Sequence, residues 1–278
     1  MDLGESPLGV SLVMRVLLLR SNNLRHQALS SILQMKGYLA AEIVEPKSPS
    51  INQSSSLSIT QHFQGREQSE KDFFGLYSQF SNLAPRTFVS SGELNSNRVL
   101  DFIDNTEFNL AITFGVSILK PILINKLRDS VMGIHLGLSP YYRGSGTNFF
   151  PFVNAELAAI GYTLMHLNHE IDRGPIIHQG RAPIILGDSI HTIGNRNISA
   201  MFNDIVNLLK INVDVSLAIS PSSSDGRLYK RKDFSEDTLM QAHQNLESGL
   251  IRKYLLNYNE LVHDYPIIQY EYLGSDLQ

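Results

Sequence analysis

The sequence predicts an α/β fold with a mainly parallel, twisted sheet, followed by a mostly helical C-terminal tail. Short apolar runs suited to buried parallel strands alternate with segments whose apolar residues recur at helical spacing. This alternation is typical of sheets that carry helices on their faces. After residue 217, one short strand pattern at 225–229 precedes mainly helical spacing over 239–262.

The first βαβ unit is the clearest part of the pattern. Residues 16–19 form the expected first strand, Leu24–Met35 a helix that Gly37 ends, and Leu39–Val44 the second strand. The stretch 47–60, rich in Ser, Pro, Asn and Gln, is expected to be a surface loop. Further strands are expected at 86–89, Leu110–Phe114 and from residue 131, with helices over 64–80, 95–103, 117–127, 148–157 and 190–209.

The composition excludes several classes of function. The chain has 278 residues, a formal net charge of -4 and an isoelectric point near 6.1, so nothing indicates a basic surface for nucleic acid. It contains no cysteine, which excludes disulfides, thiolate nucleophiles and cysteine-bound zinc. No apolar run reaches the roughly 18 residues of a membrane span, and a cytoplasmic location is expected.

Two segments carry the residues that indicate chemistry. Residues 131–144, VMGIHLGLSPYYRG, place His135 at the end of an apolar strand and before a loop. Residues 161–180, GYTLMHLNHEIDRGPIIHQG, supply a second strand and then Asp172. Taken alone, a strand-end histidine is most often structural and an Asp-Arg-Gly is most often a turn. The joint order of strand, histidine, loop, helix, strand and acid favours one shared catalytic site.

These segments resemble the formyltransferases that use 10-formyltetrahydrofolate, whose pattern begins N-x-H-x-S-L-L-P-x-Y-R-G and ends D-x-G-x-I. The match covers most of 109–187 and, more loosely, the region from Met14 onward. Gly133 stands where the family has an asparagine that helps hold the formyl carbonyl. The residues on the pattern are His135, Pro140, Tyr142, Arg143, Gly144, Gly161, Thr163, His166, Asp172, Gly174 and Ile176, whereas Leu136, Gly137 and Ser139 depart from it.

The resemblance implies a Rossmann-like formyltransferase domain over 14–217 and a helical extension over 218–278, with residues 1–13 expected to be disordered. It implies that His135 stabilises the developing oxyanion and that Asp172 orients His135 and relays protons. The implied folate-binding residues are Phe114, Gly115, Val116, Gly133, Ile134 and His169, and the implied substrate-binding residues are Asn22, Arg143, Thr147 and Asn148.

Several of these roles have open alternatives. Asn148, Thr147 or a backbone N–H could replace the missing asparagine. Arg143 could bind a carboxylate or phosphate, or it could pin its own loop through backbone carbonyls. Asn22 lies in a turn that either contacts the acceptor or simply begins a helix.

Two further clusters of polar residues are ambiguous. The residues His62, Arg66, Glu67 and Glu70 share a helix face, which is either a solvated surface or a wall of the acceptor pocket. The residues His166, His169 and His178 could suggest a metal, but they lack an acidic ligand at suitable spacing and His166 and His178 fall on different strands. We therefore expect no metal.

The function implied by the resemblance is transfer of a formyl group from 10-formyltetrahydrofolate to a primary amine of a small molecule, with an amino sugar nucleotide as the leading acceptor. Methionyl-tRNA is disfavoured because the tail does not read as a β-barrel, and glycinamide ribonucleotide because the turn after the first strand lacks glycine. The alternatives are a formyltetrahydrofolate hydrolase and, because of Gly133, a folate- or nucleotide-binding protein without catalysis. The chain could form a homodimer. Neither nucleic acid nor a membrane is expected as a partner.

Overall fold

The computed structural model describes residues 13–47, 56–80, 82–127, 130–167, 172–221 and 226–270. Strands β1 to β9 are, in order, Val16–Arg20, Leu39–Val44, Arg86–Phe88, Leu110–Phe114, Val131–His135, Tyr142–Gly144, Tyr162–His166, Ile176–Gly180 and Arg227–Tyr229. Helices α1 to α9 are Leu24–Met35, Leu57–Phe74, Asn97–Asp104, Pro121–Lys126, Phe150–Val153, Ile190–Lys210, Glu236–Glu247, Leu250–Leu256 and Tyr258–His263. The predicted extension at 1–13 lies outside the described residues except for Val13.

Within the described residues, seven strands form one sheet in the order β3-β2-β1-β4-β5-β7-β8. Strands β1 to β5 run parallel to one another, whereas β7 is antiparallel to both β5 and β8. The predicted α/β fold with a mainly parallel sheet is therefore confirmed. The first turn after β1 and the ends of β4 and β5 meet at one edge of the sheet, where ligands of such folds commonly bind.

The first strand shows why helices cover both faces of the sheet. All five residues of β1 are buried. Because side chains alternate across a strand, Val16 and Leu18 pack into one apolar cluster with α1 and α6, while Leu17 and Leu19 pack into another with α3 and α4. A strand that is apolar throughout is stable only when both of its faces are covered.

The predicted helical tail is confirmed, and it packs closely on the α/β unit. Its short strand β9 pairs in parallel with β6, so Arg143 lies opposite Leu228 and Gly144 opposite Tyr229. Apolar residues of α7 and α8 join a third cluster with α5 and the start of α6. Farther along, the backbone N–H of Gln179 donates to the carbonyl of Ile268 at 2.7 Å. The tail is thus part of the same packed body.

Three predicted elements have different bounds in the structure. Helix α2 begins at Leu57 instead of 64, because the Ser56 hydroxyl accepts the N–H of Ile59 and starts the helix inside the predicted loop. The helix expected over 117–127 is restricted to Pro121–Lys126, with proline at its first position. The helix expected over 148–157 is limited to Phe150–Val153, because Ala155 takes a left-handed φ of 58°.

Within the described ranges, no helix is both long enough and apolar enough to cross a membrane.

Candidate active site

The structure brings His135 and Asp172 together at the end of β5. The His135 ring is 7% exposed, and its Nδ1 lies 3.3 Å from Asp172 Oδ2. Its Nε2 lies 2.9 Å from the backbone carbonyl of Tyr142. The two sequence segments that were predicted to share a site therefore do meet, through a histidine that contacts protein groups on both of its ring nitrogens.

These contacts constrain the protonation of the pair. The carbonyl of Tyr142 can only accept, so Nε2 of His135 carries a proton and donates it. If Nδ1 were unprotonated, its lone pair would face an oxygen lone pair of the Asp172 carboxylate. The Nδ1 atom and the carboxylate oxygen therefore face each other directly across 3.3 Å.

Asp172 is held in position by its backbone and by the loop across from it. Its φ of 51° lies in the left-handed region, which Asp adopts more readily than most residues. The backbone N–H of Gly144 donates to Oδ2 at 2.7 Å. No described residue donates to Oδ1, and the side chain is 23% exposed. One carboxylate oxygen is therefore fixed by protein, and within the described ranges the other accepts no hydrogen bond.

Gly133 precedes His135 by two residues and lies on the same face of β5. An added Cβ at Gly133 would lie 2.3 Å from Leu167 Cδ2. The φ of Gly133 is not among the positive values, so the backbone there is ordinary. Neither a left-handed backbone nor a bulky ligand is needed to explain this glycine. The side chain of Leu167 fills the position where the family's asparagine would stand.

The loop after β6 supplies polar groups next to His135. A Cβ at Gly137 would lie 2.8 Å from both His135 Nε2 and Thr147 Oγ1, so these two atoms flank the same small space. Thr147 Oγ1 donates to the carbonyl of Leu136 at 2.5 Å. In the described chain, both amide atoms of the adjacent Asn148 are buried and have no hydrogen-bond partner. Buried amides are normally satisfied, so an unsatisfied amide at this position is unusual.

A family model described as "Formyl transferase" matches residues 45–207, which is more than half of the chain and includes the His135–Asp172 pair. The chain belongs to the formyl transferase family. A methionyl-tRNA formyltransferase of Burkholderia mallei is 27% identical over 135 residues, which are 48% of this chain and 41% of that protein. The chain thus spans less than half of the length of the curated relatives that it matches.

Solved formyltransferases share the fold at lower identity. The phosphoribosylglycinamide formyltransferase of Anaplasma phagocytophilum aligns with a TM-score of 0.52 and 17% identity, over 78% of this chain and 98% of that one. The N-formyltransferase of Helicobacter canadensis, solved with folinic acid and dTDP-3-aminofucose, has a TM-score of 0.52 and 16% identity, over 84% of this chain and 80% of that one. At this identity the likeness establishes the fold alone.

The implied folate-binding residues that the structure describes lie against other groups of the protein. The Phe114 ring is buried and packs edge-on against the ring of His26 at 4.2 Å. An added Cβ at Gly115, whose φ is 70°, would lie 2.4 Å from His26 Nε2. A close approach to the backbone of Gly115 is therefore made by His26. Val116 and Ile134 are partly buried and pack against apolar clusters, and His169 lies outside the described residues.

Two of the implied substrate-binding residues make contacts within the protein. Arg143 Nη2 donates to the carbonyl of Gly226 at 3.1 Å, which ties the loop to the tail. Asn22 is exposed, and its Oδ1 accepts the backbone N–H of Lys47 at 3.3 Å. A substrate role for either residue stays a prediction.

The polar face of α2 is only partly solvated, because Glu67 is exposed whereas His62, Arg66 and Glu70 are partly or fully buried. Glu70 is buried, forms a short ion pair with Arg25 and lies 3.8 Å from Arg66. One turn earlier, the His62 ring lies 4.6 Å from that of His191 on α6. Burial lowers the pKa of His62 to about 3 and that of His191 to about 4, with further contributions from nearby cationic groups. Sequence spacing indicated that the face existed but not that it turns inward.

Proposed function

We propose that this chain transfers the formyl group of 10-formyltetrahydrofolate to a primary amine of a small molecule, and that the acceptor is an amino sugar nucleotide. The contact between His135 and Asp172 carries this proposal, because it forms a proton-holding pair inside the region that the family model matches. The ligands of the Helicobacter canadensis protein, a folate and a sugar nucleotide, agree with both parts of it. The helical tail argues against the tRNA acceptor of the Burkholderia relative.

The transfer needs a proton to leave the amine and a proton to reach the folate nitrogen. As the amine nitrogen attacks the formyl carbon, Asp172 Oδ1, the open oxygen, accepts the amine proton directly or through water. The new C–N bond forms, the bond between the formyl carbon and N10 of the folate breaks, and the proton held by the His135–Asp172 pair reaches N10. The products are a formamide and tetrahydrofolate, and the pair returns to its starting state.

The developing oxyanion needs a hydrogen-bond donor that Gly133 does not provide. We assign this role to Asn148, since its amide is buried without a partner and it adjoins Thr147, which flanks His135 Nε2. His135 can contribute only if its Nε2–H leaves the carbonyl of Tyr142. A single well-placed donor of this kind is typically worth about 3 to 4 kcal/mol in the transition state.

The test is incubation of the purified protein with 10-formyltetrahydrofolate and, separately, UDP- and dTDP-linked amino sugars, glycinamide ribonucleotide or water alone. Mass spectrometry measures the formamide, and a coupled assay measures formate. We expect a formamide only with amino sugar nucleotides. Formate release that no amine suppresses would indicate the hydrolase instead.

One observation favours a second candidate function, which is folate or nucleotide binding without catalysis. Leu167 fills the space beside Gly133, and both ring nitrogens of His135 contact protein groups. A protein that binds 10-formyltetrahydrofolate but yields neither formamide nor formate would support this candidate.

A further inference from the structure

A cluster of cations lies beside the candidate active site. Arg25 on α1 and Arg66 on α2 both reach Glu70, and their side chains are only 16% and 28% exposed. Lys47 follows β2, and its backbone N–H binds Asn22 in the turn after β1. Three elements that are far apart in sequence therefore place positive charge at one edge of the sheet.

The C-terminal tail adds a fourth cation. The ring of Phe234 lies 5.4 Å from that of Phe63 on α2, and the guanidinium of Arg66 lies 4.8 Å from the same Phe63 ring. Arg231 precedes Phe234 by three residues, and its charge lies near enough to Lys47 to lower the pKa of that side chain.

Charge balance in the cluster is incomplete. Among the residues that the structure describes, neither Lys47 Nζ nor the Arg231 guanidinium has a hydrogen-bond or ion-pair partner. The side chain of Lys47 reaches solvent, but the surrounding protein still lowers its pKa to about 8 by burial, and Arg25 and Arg231 lower it further. The lowered pKa shows that these cations act on one another, although Glu45 opposes the effect at Lys47.

The cluster borders the proposed reaction centre. Gly144, whose N–H binds Asp172, pairs with Tyr229 in the ladder between β6 and β9. Arg231 comes two residues after Tyr229, a chain distance of at most about 7 Å. A ligand group held by Arg231 and Lys47 would thus be close to the open oxygen of Asp172.

We propose that Arg25, Lys47, Arg66 and Arg231 form an anion subsite that holds the phosphate or diphosphate group of the acceptor. This assignment rests on the proposed function, because only that function makes the bound molecule an acceptor of the formyl group. Guanidinium groups bind phosphate oxygens in pairs, and an ammonium group adds a point charge. A bound dianion would neutralise the positive charge that Glu70, Glu67 and Glu45 leave on the four cations.

The subsite can be tested without a formyl donor. Titration calorimetry measures binding of inorganic pyrophosphate and of UDP to the full chain and to the variants Lys47→Gln and Arg231→Gln. Each variant should weaken binding by about tenfold or more, since a hydrogen bond to a charged group contributes about 1.5 to 3 kcal/mol. Lys47→Arg should retain most of the affinity. Lys232→Gln, which removes an exposed charge from the same turn as Arg231, is the matched control and should bind like the parent.

The outcomes separate this subsite from the proposed reaction. If pyrophosphate binding depends on Lys47 and Arg231 but no amine is formylated, the subsite stands and the proposed function fails. If amines are formylated while neither pyrophosphate nor UDP binds, or while Lys47→Gln and Lys232→Gln bind equally well, the subsite is overturned and the transfer stands. Melting temperatures of all variants verify that the exposed substitutions leave the fold intact.

Discussion

The His135–Asp172 pair and the cationic subsite lie side by side but arise from the sequence in different ways. His135 ends β5, and Asp172 lies in the loop after β7, the strand next to β5. The order of these motif segments along the chain is enough to indicate the pair. The subsite combines α1, the segment after β2, α2 and the tail. Its charges meet only because helices and tail pack together. The proposed proton chemistry is thus visible in motifs, whereas the proposed recognition of the acceptor depends on tertiary packing.

The largest effect is expected where the motif carries the chemistry. Asp172→Asn should lower the rate of formyl transfer by a hundredfold or more, because it removes the proton acceptor while keeping size and shape. Asparagine also tolerates the left-handed φ of 51° at this position, so the free energy of unfolding should change little. Kinetics and denaturant unfolding on one preparation test both statements. A variant with normal turnover would remove Asp172 from the mechanism.

The next effect concerns the glycine that joins the two regions. Gly144→Ala should lower the free energy of unfolding by about 3 kcal/mol, because the backbone has a φ of 89° and the new Cβ would lie 2.1 Å from the carbonyl oxygen of Tyr229. Gly187→Ala is the matched control, with a φ of 93° and no atom within 4 Å of the added Cβ. It should cost about 1 kcal/mol. Equal losses for the two variants would show that contact with the tail is unimportant.

The sequence predicted the central strands well and the space around the site poorly. Strands such as Leu110–Phe114 are recognisable because continuous apolar runs report burial on both faces. The obstruction at Gly133 was not predictable, because Leu167 reaches it diagonally across the antiparallel pair of β5 and β7, and the direction of β7 was not specified by the pattern. Arg231 was missed because nothing in its local spacing links the tail to α2.

A smaller effect is expected when the family's asparagine is restored. Gly133→Asn should lower the free energy of unfolding by about 1 to 2 kcal/mol, because Leu167 must move to admit the side chain. Adding Leu167→Ala opens that space, so the double variant should regain part of the free energy of unfolding that Gly133→Asn loses. Leu167→Ala alone serves as the control for the cavity that it creates. If Gly133→Asn were as stable as the parent and more active, the filled pocket would be of no consequence.

The smallest effect should appear in the pH dependence of stability, through two partly buried histidines on helices α2 and α6. His62 and His191 have pKa values lowered by burial to about 3 and 4, whereas an unfolded histidine has a pKa near 6.5. Between about pH 6.5 and pH 4 the unfolded chain therefore holds more protons, and the free energy of unfolding falls as the pH falls. Because both rings are partly exposed, we expect less than about 1 kcal/mol per pH unit from each.

Denaturant unfolding between pH 7.5 and pH 4.5 measures this slope. His62→Gln should flatten it, because a neutral amide takes up no proton. His263→Gln makes the same chemical change on the exposed helix α9 and is the control. If the two variants had the same slope as the parent, His62 would not be held neutral by its surroundings. A flattened slope only in His62→Gln would show that burial against His191 on α6 holds the His62 ring neutral.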